Sequence, residues 1–160
     1  MTEIISNEKI QAFIEERKSI HDQWRDKFFT RWNGNSKERI LEIVGDAGHE
    51  FRVIVRENKF NPSRNFSVIL GVYYPTPNKV FRLLRYNGSN HCHMGHIRYE
   101  CHIHRATEEY QNAKEREDSY AEKTSRYQDV FDALGCLMDD ANFQGNHTLL
   151  QEVKLCLLGL

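Results

Sequence analysis

The sequence predicts an α+β fold in which helices cover one face of an antiparallel sheet. Strand-like segments with alternating or β-branched apolar residues crowd the stretch between residues 38 and 104. Their connections are short and carry Gly, Pro, Asn and Asp, which favours antiparallel neighbours. Helical periodicity flanks that stretch on both sides, and strands followed by helices form α+β layers.

Residues 7–32 read as one long helix. Ile10, Phe13, Ile14, Trp24 and Phe28 fall near helical spacing, Ser6 or Asn7 caps the start, and Asn33-Gly34 is a natural stop. Trp24, Phe28, Phe29 and Trp32 are expected to anchor this helix on the sheet. Residues 38–44 suit helix or strand, but EFRVIVRE after the GDAG turn alternates, so a hairpin is favoured. Residues 65–74 form an apolar strand in which Gly71 marks a bulge or a close backbone approach. PTPN is a turn, residues 79–86 are the next strand, Asn87-Gly88 signals another turn, and residues 97–104 are the last strand.

The period then changes. Thr107 before two glutamates is a helix start, QNAKEREDS is a solvated helix or loop, and residues 125–141 carry an unbroken apolar stripe from Tyr127 to Ala141. A last helix after Gln144-Gly145-Asn146 aligns Leu149, Leu150, Val153, Cys156 and Leu157. The expected architecture is a four- to five-stranded antiparallel meander, a long N-terminal helix and two to three C-terminal helices. It fits a single domain over residues 1–160. The other sheet face should be partly open and polar.

The net charge of −1 advertises no polyanionic partner as a whole, although a local basic face needs no global excess. The four cysteines follow no signal-like start, so reduced thiols in the cytoplasm are expected. No apolar run is long enough for a membrane span.

Function should lie in residues 81–104, FRLLRYNGSNHCHMGHIRYECHIH, which hold five of the eight histidines. Side chains two apart on a strand share a face, so His102 and His104 point together. By the same count Arg82, Leu84 and Tyr86 share one face and Arg85 takes the other. Three readings stay open. Two imidazoles and a guanidinium suffice for metal-independent RNA cleavage by general acid–base catalysis. In that reading His91 and His102 are the acid–base pair, His104 orients or binds phosphate, and Arg85 stabilises charge. Arg82, Tyr86, His93 and Arg98 bind substrate, and Arg82 replaces Arg85 if the latter is covered. A second reading is a zinc site at His93, His102 and His104, or with His91 in place of His93; no finger-like spacing supports it. In the third, the histidines are structural, and the protein is a non-enzymatic inhibitor or adaptor. It then binds RNA or a larger protein through its polar sheet face.

The segments FRLLRYNGSNH, HIHRATEEY and EDSYAEKTSRYQDVFDALGCLMDDANF resemble an uncharacterised prokaryotic domain family. Its members carry an FRL-RYNG strand, an H-H-ATE-Y motif and a helix ending in D-NF. The resemblance covers roughly residues 50–143 and brings no established activity. An Arg- and Tyr-bearing strand followed by a histidine pair is also similar to small toxin nucleases of prokaryotic toxin–antitoxin pairs. That likeness implies a ribonuclease with a cognate antitoxin, in a phage or defence setting.

Overall fold

A computed structural model describes residues 3–90 and 97–160 in full, together with the backbone of residues 92–93. The protein is α+β, built on a seven-stranded antiparallel sheet. Helix α1 (Asn7–Glu15) leads into a two-residue strand β1 (Lys18–Ser19) and a 3-10 turn (Trp24–Lys27). Strands β2 (Phe28–Asn33), β3 (Ser36–Val44), β4 (Glu50–Asn58), β5 (Phe66–Tyr73) and β6 (Val80–Asn87) follow as a meander. A small ribbon, β7 (Cys92–His93) with β8 (Ile97–Arg98), interrupts it before β9 (His102–Arg105) pairs with β6. Helix α2 (Glu108–Asn112), edge strand β10 (Tyr120–Lys123), helix α3 (Val130–Asp140), strand β11 (Phe143–Gln144) and helix α4 (His147–Leu157) complete the chain. The sheet order is β10-β9-β6-β5-β4-β3-β2.

The expected helix over residues 7–32 is the main correction. It stops after Glu15 because Lys18 turns back on it. The Lys18 ammonium is fully buried and donates to the carbonyls of Phe13, Ile14, Glu16 and Ala141, at 3.0, 3.0, 2.7 and 2.8 Å. One cation therefore satisfies the orphan carbonyls at the ends of both α1 and α3, where the helix dipoles are negative. Burial drives its pKa down to about 8 against the opposing pull of Glu16. Beyond it the aromatic Phe28 and Phe29 and the β-branched Thr30 prefer a pleated surface to a helix. Asn33-Gly34 becomes the corner of the β2–β3 hairpin, with Gly34 at φ +62°. Trp24 is buried and packs edge-on against Phe28, as an anchor should, whereas Phe29 and Trp32 are exposed.

The β3–β4 hairpin forms as expected, with Phe51, Val53 and Val55 inward. Strand β10 directly follows the polar run QNAKEREDS in a stretch assigned to no element, and together with β2 it raises the strand count to seven in this sheet. Helix α3 begins at Val130 behind an Asp129 cap rather than at residue 125, and Phe131 on its stripe is exposed. Thr107 caps α2 and Asn146 caps α4.

One sheet face forms the core. Leu41, Val53, Val55, Val68, Leu70, Leu84 and Tyr86 pack under Ile10, Phe13 and Ile14 of α1, Leu134, Leu137 and Met138 of α3, and Val153 and Leu157 of α4. Each fully buried leucine there contributes about 1.5–3 kcal/mol.

Gly88 is not a hairpin turn, because Asn87 is still paired to both Ser67 and His102. A Cβ on Gly88 would stand 2.1 Å from the Arg64 carbonyl oxygen. Gly88→Ala should therefore lower stability by about 1–3 kcal/mol through forced backbone displacement, read as a shift in the urea midpoint.

Candidate functional site

The helix-free face of the sheet carries the sequence-predicted arginines and histidines. Its register is set by an irregularity between β5 and β6. Gly71 opposes Arg82 while Leu70 opposes Leu84, so Leu83 is an extra residue in β6. Gly71 sits at this bulge, as one of its two expectations had it, and a Cβ there would meet the Val80 side chain at 2.4 Å and the Phe81 carbonyl oxygen at 3.3 Å. The bulge resets the alternation. Arg82 opposite Gly71 and Arg85 opposite Ile69 now share a face. The simple two-residue count, which put them on opposite faces, is corrected. Tyr86 is the residue left on the other side. It stacks on Tyr127 at 5.9 Å and donates to Asp140, which also takes two hydrogen bonds from Arg126 at 2.9 Å. Tyr86 is thus a core residue and not a partner of the histidines.

His102 and His104 do lie side by side, their ring centroids 5.0 Å apart, and His104 stands opposite Arg85. They share the helix-free face, as alternation requires. The expectation that this places them on an uncovered surface is corrected, since they are 0% and 2% exposed. His102 Nδ1 lies 2.9 Å from the Glu100 carbonyl, and His104 Nδ1 lies 2.9 Å from the Asp118 carbonyl. A carbonyl only accepts, so Nδ1 holds the proton in both rings. Asn87 Nδ2 approaches His102 Nε2 at 3.4 Å, and the Asn87 Oδ1 accepts from Ser67 at 2.8 Å. The hydroxyl of Tyr127 sits between the carbonyls of Asn87 and His102, at 2.7 and 3.0 Å. The pair is embedded in a network that ties β5, β6, β9 and the start of α3 together.

Beside it, the buried carboxylate of Asp118 holds two guanidinium groups, Arg85 at 3.0 Å and Arg116 at 2.6 Å. Burial pushes its pKa up, but Arg85 and Arg116 outweigh that and hold it below the usual carboxylate range. Three strands from β6, on β3, buried Glu38 likewise bridges Arg31 and Arg56, at 2.8 and 2.6 Å. Arg82, opposite Gly71 and one row beyond Arg85 on the same face, differs from them. Its main-chain N–H donates to Glu117 at 3.1 Å, but its half-buried guanidinium has no hydrogen bond or ion pair among the described residues. Burial lowers its pKa first, and Arg116 and Arg56 push it down further. Asp118 and Glu117 only partly offset them. Below this cluster, Ile40, Ile54 and Ile69 form a small apolar row of their own on the same face.

The remaining sequence candidates do not join the cluster. Arg98 is exposed on β8, in the separate ribbon. His91 and the side chain of His93 lie outside the described residues. Among the described residues no group of three His, Cys, Asp or Glu side chains could hold a metal ion, and no helix is long and apolar enough to cross a membrane. Sequence reasoning missed Asp118 and Arg116, which read as part of a solvated charged run. The only local signal was Ala121, which is buried on β10 opposite His104.

No family model, curated protein or solved structure matches this chain. The motif resemblances therefore rest on the residues that carry them.

Proposed function

We propose that the protein is a non-enzymatic binding protein, an inhibitor or adaptor, whose helix-free sheet face takes up the phosphate backbone of RNA. The observation that carries this is Arg82. A half-buried guanidinium crowded by Arg56 and Arg116 and lacking a paired carboxylate is an electrostatic cost that a bound anion would relieve. Arg56, Arg85 and Arg116 are each anchored by a buried acid, which fixes their planar forks for phosphate. The face is thus locally cationic in a chain of net charge −1.

The alternative, a metal-independent ribonuclease, draws on His102 and His104 standing together beside Arg85. It has to contend with their burial and with Nδ1 atoms committed to carbonyls. A general acid or base must come within hydrogen-bond reach of its substrate.

One assay tests both. Labelled single-stranded RNA is incubated with the protein in EDTA over a salt series. The expected result is retention at low salt without shortening. Arg82→Gln should weaken binding and flatten the dependence of log K on log salt by about 0.7, the loss of one phosphate contact. Its melting temperature should not fall. RNA shortened by the native protein but not by His102→Ala would transfer the site to the nuclease reading. RNA neither bound nor cut would overturn both RNA readings of this face.

A further inference from the structure

The two edges of the seven-stranded sheet are built differently. Strand β10 is four residues long and carries Glu122 and Lys123, both exposed. Short, charged edges resist pairing with another chain. Strand β2 is six residues long and has no proline. Its one charge, Arg31, is already bound to Glu38 at 2.8 Å. Its aromatic residues Phe29 and Trp32 are 37% and 58% exposed. Among the described residues, nothing along this edge discourages a further strand.

The hairpin fixes which backbone groups face outward. Asn33 and Ser36 flank a two-residue loop, so they form a hydrogen-bonded pair, and such pairs recur at every second residue. Asn33, Arg31 and Phe29 therefore spend their N–H and C=O groups on β3. Those of Thr30 and Trp32 point away, as does the carbonyl of Phe28, whose N–H is taken by Arg25.

We propose that β2 pairs antiparallel with β2 of a second copy of this chain, with Thr30 on the two-fold axis. Thr30 and its copy then exchange hydrogen bonds, and each Trp32 N–H meets the Phe28 carbonyl opposite. On one face Phe28 lies against Trp32. On the other Phe29 lies against Arg31, and because Arg52 already sits over the Phe29 ring at 5.6 Å, that ring becomes flanked by two guanidinium groups. Opposed residues must share a face, so the neighbouring allowed registers centre on Phe29 and on Arg31. The Phe29-centred one leaves Arg31 and Trp32 opposite Lys27 and Asp26 of the 3-10 turn, beyond the strand, and sets like charges together. The other centres on Arg31. That register sets Arg31 against its own copy and leaves Phe28 opposite Gly34, so like charge and lost aromatic contact disfavour it. The sequence of β2 is thus self-complementary in one register.

Sedimentation over a hundredfold concentration range, with cysteine cross-linking, tests this. The expected result is a reversible dimer that Thr30→Pro abolishes while circular dichroism is unchanged, since the lost N–H faces outward. Under mild oxidation Thr30→Cys should give a covalent dimer, because hydrogen-bonded partners across an axis lie within disulfide reach, whereas Arg31→Cys and the native protein should not. A monomer throughout, a dimer that Thr30→Pro leaves intact, or equal cross-linking at positions 30 and 31 would overturn the proposal.

Discussion

Replacing Asp118 with alanine is expected to lower the unfolding free energy by about 3–5 kcal/mol, measured by chemical denaturation at neutral pH. The side chain is wholly buried, and it neutralises Arg85, whose own side chain is only 14% exposed. Removing the acid strands that guanidinium inside the protein. Burial already lowers the Arg85 pKa, and Asp118 is the charge that counters the shift. The backbone carbonyl of Asp118 also receives His104 Nδ1, so local loosening at this residue spreads to the histidine pair. The pH dependence has a definite sign. The folded-state pKa of Asp118 lies below the unfolded value of 3.8. The ion pairs therefore contribute fully above that value, and their contribution is lost as pH falls through the folded-state pKa. Asp118→Ala should flatten the acid limb of the stability profile. An unchanged acid limb would mean that the two arginines find other partners.

Lys18→Met should cost about 3 kcal/mol or more, although it removes a buried charge. Exchanging a buried ion for an apolar group is often neutral when nothing polar is left behind. Here the buried carbonyls of Phe13, Ile14 and Ala141 and the partly buried one of Glu16 would remain without their donor, and each buried orphan costs about 1–3 kcal/mol. The native ammonium should titrate near 8 rather than 10.5, readable from its side-chain carbon shift by NMR. Between those values the unfolded chain binds more protons than the folded one. This group therefore makes stability rise with pH across that window, opposite in sense to a lysine stabilised by an ion pair. A midpoint at the ordinary value would place the ammonium in water and remove the argument.

The strands were the most legible part of the sequence, because alternation at Phe51, Val53 and Val55 and the β-branched run over residues 65–74 reflect burial directly. The amphipathic helices α3 and α4 were legible for the same reason. The N-terminal segment was not. Trp24 and Phe28 satisfy helical spacing with Ile10 and Ile14, but a lysine that seals two helix ends has no periodic signature. The polar face was read at the right strands and with the wrong exposure. Alternation brings His102 and His104 together, but it says nothing of what lies over them. Asp118 was missed because a buried acid between two arginines has the same composition as a solvated charge run.

The additional residue at Leu83 gives β6 two alternation frames in one strand. Positions 80–82 follow one parity and positions 84–87 the other. Any substitution chosen by stepping in twos along this strand lands on the intended side only if the step stays within one frame. A change meant for the charged surface and counted across residue 83 would instead strike the packed interior around Tyr86 and Tyr127.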